Sequence, residues 1–585
     1  MDLLLPIRIS AALAVIFFIL PDKRKLVVPA ALTAAISLFI ISIYSLFFRD
    51  IAMSSRPYFM ADNISKAVYF LISFFGAIMA VYSSGFITRK LNRYFAYFFL
   101  TIASSLGVVI SANWLIFTIF WGISGTALFL MIQLESGANA AAKKTMIILG
   151  GSDSLLILGI AIIYYATGTF TIGTAPWSGL AAACLLAAAL AKAGGMPLHT
   201  WIPGCAEKAP LPVTAFIPAA LDKILGIYMM TRLFQIMRFP PEARMAVMII
   251  GAITIICAVF MALKQHNAKK LLAYHAVSQV GYMILGIASG NLLGLIGGFF
   301  HMVNNAIYKS ALFLGTGQVE KTTGTDRLEK LGGLAKLLPI TFTSMLIASF
   351  AISGIPPFNG FYSKWLIYQG ILGAKTAKDF PLLTMLCLLA ALFGSGLTLA
   401  SFMKLLHAIF LGSSSPAIGR IAPDNREKFS LVFPQITLAA ACILLGLFAV
   451  NIFIKPVFGS GVLDEIRGSW SPGTASLLMI AGIVIGLLLY WLSGAKTRRA
   501  GSFIGGYKVA PEMRVSGVTF YASIENIFPF RQIFKLADKK IFDLYEMTKL
   551  GLFYIIGILR YFHTGVLSNY LTWIFAGGII IFLAL

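Results

Sequence analysis

Five lysines, two aspartates and three histidines interrupt stretches of sequence that are otherwise apolar. Lys192 ends an Ala/Leu-rich run, and Asp222-Lys223 lie within Val213–Met230, four residues after Pro218. Lys309 lies in His301–Gly317, Lys364 follows the Pro356-Pro357 pair, and Lys404 and His407 lie in Leu382–Leu411. Asp153 and His275 sit in two further apolar segments. A charged side chain deep in a bilayer costs a few kcal/mol or more, so one kept there usually has a task. The task that suits these types is proton exchange. A free lysine titrates near 10.4 and desolvation lowers such a value by several units, while histidine already titrates near 6.5. Bland alternatives exist for each residue. A lysine near a span end, such as Lys192 or Lys364, can snorkel to the interface, and a lone histidine is more often a satisfied core residue. A bis-histidine haem drawn from His275, His301 and His407 is the weakest reading. Several lysines and histidines in successive spans are harder to dismiss together.

The elements that must carry these groups follow from composition. The chain has 585 residues, 59% of them hydrophobic and 12% charged, with a mean hydropathy of +0.88. A soluble fold cannot hide that much apolar surface. Candidate spans fall near 3–20, 26–48, 67–87, 94–111, 113–133, 145–166, 179–197, 212–236, 245–264, 271–289, 293–317, 338–355, 361–374, 380–412, 431–454, 474–493 and 568–585. Each full run is long enough to cross about 30 Å of hydrocarbon as a helix. Barrel strands would alternate apolar and polar residues, and runs such as Met146–Ile163 do not. The expected fold is an all-α polytopic membrane protein of about 15–17 transmembrane helices, in the lipid bilayer of a prokaryotic cytoplasmic (inner) membrane.

Lys and Arg number 46 against 22 Asp and Glu, a formal +24. These charges lie mainly in alternate short loops, from Asp22-Lys23-Arg24-Lys25 to the Lys264–Lys270 cluster, so they report topology rather than nucleic acid. The bias places Lys23 inside and the N-terminus outside. Met1-Asp2-Leu3 lacks the basic start of a signal peptide, so the first helix is expected to be retained. Five scattered cysteines form no CxxC or Cys/His cluster, and no iron–sulfur, zinc or other cofactor site is expected in the chain.

Proline marks the breaks. Within a span it withholds a backbone donor and opens the helix where protein or water lines the gap. Pro218 beside Asp222-Lys223 reads as a broken helix at an ion site. Gly194-Gly195-Met196-Pro197-Leu198 echoes Ser353-Gly354-Ile355-Pro356-Pro357, and each precedes a deep lysine, Lys223 or Lys404. That echo hints at two related halves. Near the C-terminus, Lys496 to Gly517 is polar and Gly-rich and reads as a loop. Arg531 to His563 has no proline and reads as an amphipathic helix reaching about 50 Å if continuous. The alternative is a shorter surface helix followed by an apolar span through Leu550–Leu559. The chain therefore divides into N-terminal helices over 1–93, a core over 94–412, further helices over 413–495 and an extension over 496–585, closed by an anchor helix.

These motifs carry a resemblance. Lys192-Ala-Gly-Gly-Met-Pro-Leu-His-Thr-Trp-Ile-Pro203 with Ala209-Pro210 and Asp222-Lys223 resembles the antiporter-like membrane subunits of respiratory complex I, Mrp-type antiporters and energy-converting membrane-bound hydrogenases. Ala268-Lys269-Lys270 through Gln279, His301 through Leu314, and Leu331 through Lys364 agree in the same order. The resemblance covers roughly residues 65–415. It implies two inverted five-helix repeats, each with a broken helix, around a mid-membrane chain of protonatable groups. By position, Lys223 would be the broken-helix lysine of the first half. Lys269 and His275 would lie on a connecting helix, His301 and Lys309 would join the halves, and Lys404 would be the terminal base of the second. The tail, through Phe503-Ile-Gly-Gly506, Phe520-Tyr521, His563 to Leu567 and Tyr570 to Trp573, resembles an extension containing a lateral helix along neighbouring subunits.

Two departures stand out. The family usually has a glutamate after the tryptophan of its fifth helix, and here Gly122 follows Trp121. Asp222 could replace that charge, yet as the immediate neighbour of Lys223 it points about 100° away on a helix. Asn305 stands where many members have a second histidine. The implied function is proton translocation by a membrane subunit of a complex I-like (NADH:quinone oxidoreductase) or energy-converting hydrogenase complex. Its partners would be other membrane subunits and peripheral redox subunits. A sodium/proton antiporter subunit of Mrp type and a transport-inactive membrane scaffold are the alternatives.

Overall fold

The computed structural model describes residues 3–47, 58–412, 427–459, 461, 472–492, 517–521, 523, 526–527 and 530–584. Most of the loop expected over 496–517, and the Phe503–Gly506 motif, lie outside them. The described residues fall into two compact units, 1–523 and 524–585.

The first unit is built of helices α1 (Leu4–Ile19), α2 (Arg24–Phe47), α3 (Asn63–Phe86), α4 (Leu91–Ile110), α5 (Trp114–Ile132), α6 (Asn139–Thr167), α7 (Gly179–Ala193), α8 (Trp201–Lys208), α9 (Leu211–Phe216) and α10 (Asp222–Ile236). They continue as α11 (Pro241–Leu263), α12 (Ala268–Ala288), α13 (Leu292–Thr323), α14 (Pro339–Ser353), α15 (Asn359–Leu372), α16 (Pro381–Leu406), α17 (Phe429–Leu447), α18 (Lys455–Phe458) and α19 (Pro472–Leu492). Hydrocarbon offers no partner for a backbone N–H, so helices that satisfy themselves are the natural outcome. Starts carry the expected signals: Asp62, Asn113 and Asn267 cap α3, α5 and α12, and Pro241, Pro339 and Pro381 open α11, α14 and α16.

Eleven helices or helix runs among the described residues are long and apolar enough to cross a membrane. Four shorter apolar segments accompany them: α1, α7, α14 and residues 473–489. The chain is thus an integral membrane protein of the all-α polytopic class. α13, 32 residues long, is its axle and packs against α9, α10, α12, α14, α15 and α17.

Two interruptions matter for the site. Pro218 has no N–H to donate back to α9. The helix slips by one residue over Ile217–Leu221, a π-helical turn in which the Asp222 N–H reaches Ile217 O. A second π-helical turn, His407–Leu411, follows α16 without any proline, with the Gly412 N–H on His407 O at 2.7 Å. Elsewhere α7 stops at Gly194 (φ 82°) and α14 at Gly354 (φ 81°), left-handed positions that glycine tolerates. The turns that follow contain Pro197 and the Pro356-Pro357 pair.

The second unit comprises α20 (Phe530–Asp538), α21 (Leu544–Phe562) and α22 (Leu567–Ala584). The continuous helix expected from Arg531 to His563 is two pieces. Lys540 sits at φ 57° between them, and the Asp543 side chain caps α21 by accepting from the Tyr545 N–H. A left-handed residue followed by a new N-cap stops one helix and starts another. The helix is divided, as the shorter alternative has it, but α21 is not among the runs long and apolar enough to cross a membrane.

Candidate functional site

The buried lysines are not snorkelling. Lys192, Lys364 and Lys404 are 2% exposed, and Lys223 and Lys309 are fully buried. Lys223, Lys364 and Lys404 are held at helix ends. Lys223 Nζ donates to Ala193 O (2.9 Å), the last carbonyl of α7, and Lys364 Nζ to Ile352 O (2.9 Å), near the end of α14. Lys404 Nζ donates to Leu263 O (2.6 Å) and Gln265 O (3.2 Å) at the end of α11. The last carbonyls of a helix have no intrahelical donor and form the negative end of its dipole, so they suit an ammonium. A Cβ at Gly354 would stand 2.9 Å from Lys364 Cδ, so the glycine leaves room for the lysine stem, whereas at Gly194 the crowding would fall on Ile202.

Lys192 has the richest surroundings. Its Nζ donates to Trp121 O (3.2 Å) and to Ser124 Oγ, lies 4.5 Å from the Trp121 ring centre, and pairs with Asp222 Oδ1 at 3.8 Å. Trp121 Nε1 donates in turn to Asp153 Oδ1 (2.8 Å). Asp222 thus pairs with Lys192, while Lys223, next in the chain, is an electrostatic neighbour that makes no ion pair with it.

The row continues across α13. Lys309 Nζ donates to Leu272 O (2.9 Å) and is an electrostatic neighbour of both Lys223 and His275. His275 Nε2 bonds Ser401 Oγ (2.7 Å), and its ring packs on Phe402. His301 Nδ1 bonds Ser363 Oγ (2.8 Å), and its Nε2 bonds Gln279 Oε1 (3.1 Å) and the Tyr308 hydroxyl (3.3 Å). Beside it, Lys364 lies 4.6 Å from the Tyr282 ring centre and donates to Ser395 Oγ (3.0 Å). Tyr282 also bonds Ser395 Oγ (3.0 Å), as does Tyr368 (2.8 Å). Because the Tyr282 hydroxyl donates to Ala391 O, the Ser395 hydroxyl must donate to Tyr282 while accepting from Lys364 and Tyr368.

Along this row, buried polar atoms lack a protein partner: both side-chain atoms of Asn305 and Asn359, Asn304 Oδ1, Gln279 Nε2, His275 Nδ1 and Asp222 Oδ2. An ammonium also carries three donors, and Lys223 and Lys309 each meet one carbonyl. Buried polar groups demand partners, and ordered water is a usual one.

The remaining candidates stand apart. Lys269, at the first turn of α12, pairs with Glu320 (2.8 Å) and Asp326 (3.3 Å). The half-buried His407 ring packs on Phe520 in the second π-helical turn, and its Nδ1 is unpartnered. Spacing gave no sign of Ser124, Ser395, Gln279 or Tyr282. Among the described residues, no group of three His, Cys, Asp or Glu side chains is placed to hold a metal ion.

A bundle of membrane-crossing helices with ionisable groups buried at helix breaks is the architecture of ion-translocating membrane proteins. The family model for the transmembrane region of NADH:quinone oxidoreductase and Mrp antiporters matches residues 111–409, more than half of the chain, and the chain belongs to that family. It is 29% identical over 549 residues to a Na(+)/H(+) antiporter subunit of Bacillus subtilis, covering 86% of this chain and 64% of that protein. It is 30% identical over 462 residues to a Na(+)/H(+) antiporter subunit of Staphylococcus epidermidis, covering 71% of this chain and 57% of that one. The chain therefore spans less than two thirds of either relative. Its fold matches a chain of the membrane-bound sulfane sulfur reductase, an archaeal respiratory membrane complex, with a TM-score of 0.82 at 22% identity over the whole of both chains. It also matches the Mrp complex of Dietzia sp. DQ12-45-1b, with a TM-score of 0.69 at 22% identity over 79% of this chain and 97% of that one.

Proposed function

We propose that the chain translocates protons as one membrane subunit of a multisubunit complex. The observation that carries this reading is the row from Lys192 and Asp222 through Lys223, Lys309 and His275 to Lys364 and His301. It is buried, and it contains polar atoms with no protein partner. Lysine and histidine exchange protons, and neighbouring positive groups make each site's occupancy depend on the next. Lys404 at the end of α11, His407 in the second π-helical turn and Lys269 at the first turn of α12 stand outside this row and would serve at its approaches. Partners are other membrane subunits, as in the complexes to which the relatives belong, together with peripheral redox subunits that would supply the driving reaction.

The names of the relatives favour a second reading, sodium/proton antiport. Vesicles containing the assembled complex separate the two. Proton movement driven by a sodium gradient alone supports antiport, whereas movement that requires an electron donor supports redox coupling. In either case Lys404→Ala lowers proton translocation at unchanged assembly, by about tenfold or more. Wild-type translocation in that variant removes Lys404 from the path.

A further inference from the structure

Asp222 is 1% exposed, sits directly after the π-helical turn, and offers one oxygen to Lys192 at 3.8 Å while its Oδ2 has no partner. A carboxylate kept only to anchor a buried lysine would be satisfied on both oxygens, because the desolvation of such a pair is recovered only through good geometry and additional hydrogen bonds. Here the pair is loose, and the lysine is shared. Lys192 also donates to Ser124 and to Trp121 O, and it feels the charge of Asp153, which Trp121 Nε1 holds. The position where the resemblance implies a glutamate cannot take part. Gly122 is on the outer side of α5, with Ile119 60% exposed one turn before it and nothing within 4 Å of a Cβ built on it.

We propose that Asp222 is the acid–base partner of Lys192 in the first half of the row, replacing the carboxylate that Gly122 does not provide. The inference rests on the proton-translocating reading. The step balances simply: the Lys192 ammonium passes one proton to the Asp222 carboxylate, leaving a neutral amine beside a neutral carboxylic acid. Asp222 releases that proton into the row through its free oxygen. Lys192 then takes a fresh proton from the Asp153 side, and the ion pair is restored. One proton has moved and no electrons have. The π-helical turn that Pro218 imposes sets Asp222 on the face of α10 that reaches α7.

The test uses the assembled complex in vesicles, with proton uptake read by a pH-sensitive dye and Lys309→Ala as the reference variant. Asp222→Asn keeps the shape but accepts no proton, and translocation falls by at least about tenfold, whereas Asp222→Glu stays within about threefold of the parent. Lys192→Arg keeps the charge but cannot release its proton, and it fails like Asp222→Asn. If Asp222→Asn does not assemble, the double variant Lys192→Gln/Asp222→Asn removes both charges together and leaves no unpaired ion. It is expected to assemble and to be inactive. Parental rates in Asp222→Asn, Lys192→Arg or the double variant, while Lys309→Ala is impaired, overturn the role of Asp222 and leave the broader reading standing. Parental rates in Lys309→Ala as well overturn that reading itself.

Discussion

Charged residues in this chain divide between tightly paired anchors and the loosely held groups of the proposed row, and their partners tell them apart. Asp62 is an anchor. Its Oδ1 accepts the Ser65 N–H (2.8 Å) as the cap of α3, and Arg232 Nη1 reaches its Oδ2 at 2.6 Å, tying α3 to α10. Burial alone would raise the Asp62 carboxyl, but the Arg232 hydrogen bond and charge and the Ser65 N–H outweigh it and hold it below the ordinary value of 3.8. A carboxyl depressed in the folded state contributes stability above its unfolded value and loses it as pH falls through the folded one. The melting temperature in detergent is therefore expected to fall more steeply below about pH 4 in the parent than in Asp62→Asn. Equal slopes would remove Asp62 as the cause. Asp62→Ala loses the cap as well, at a cost of about 1 kcal/mol. The lysines of the row have no such tight carboxylate. That contrast is invisible in sequence, where Asp62 and Asp222 are equally single acids beside apolar runs.

Helices come this close because small residues line their contacts, the usual device where lipid gives no hydrophobic drive. Gly226 of α10 is the sharpest case: a Cβ there would stand 2.6 Å from Ala193 N and 2.7 Å from Ala189 O, backbone atoms that cannot yield. Gly226→Ala is expected to push α10 off α7, lower stability by about 1–3 kcal/mol and loosen Lys223 from Ala193 O. The control is Gly122→Ala, which meets nothing within 4 Å. Equal melting of the two variants would refute the close approach. Sequence located most elements well because a run of about 20 apolar residues has few other uses. It located the break at Pro218 because a missing N–H has a local cause. It gave no warning of the π-helical turn at His407–Leu411, where no proline stands and packing decides. Nor did it reveal Ser124 or Ser395. Membrane serines commonly turn back on their own helix, as Ser42 does to Leu38 O, so residue type alone does not mark a partner.

Taken together, the first unit holds the whole row and the second holds none of it. The three helices of the second unit bury little apolar surface among themselves, and α22 is a candidate span with none of its residues buried. Truncation after residue 523 is expected to leave the melting of the remaining chain within a few degrees of the parent while reducing its recovery with neighbouring subunits. Unchanged recovery would remove that role from the extension. Sequence leaves the continuous and the divided helix both open here, because a proline-free, amphipathic run gives no local signal for a left-handed residue at Lys540.

If buried lysines joined across α13 carry protons, Lys309 is where the two sides of the row meet. Proton uptake by vesicles containing the assembled complex with Lys309→Gln tests it most directly. Uptake is expected to fall to about a tenth of the parental rate or less at equal assembly. Uptake at the parental rate would contradict it.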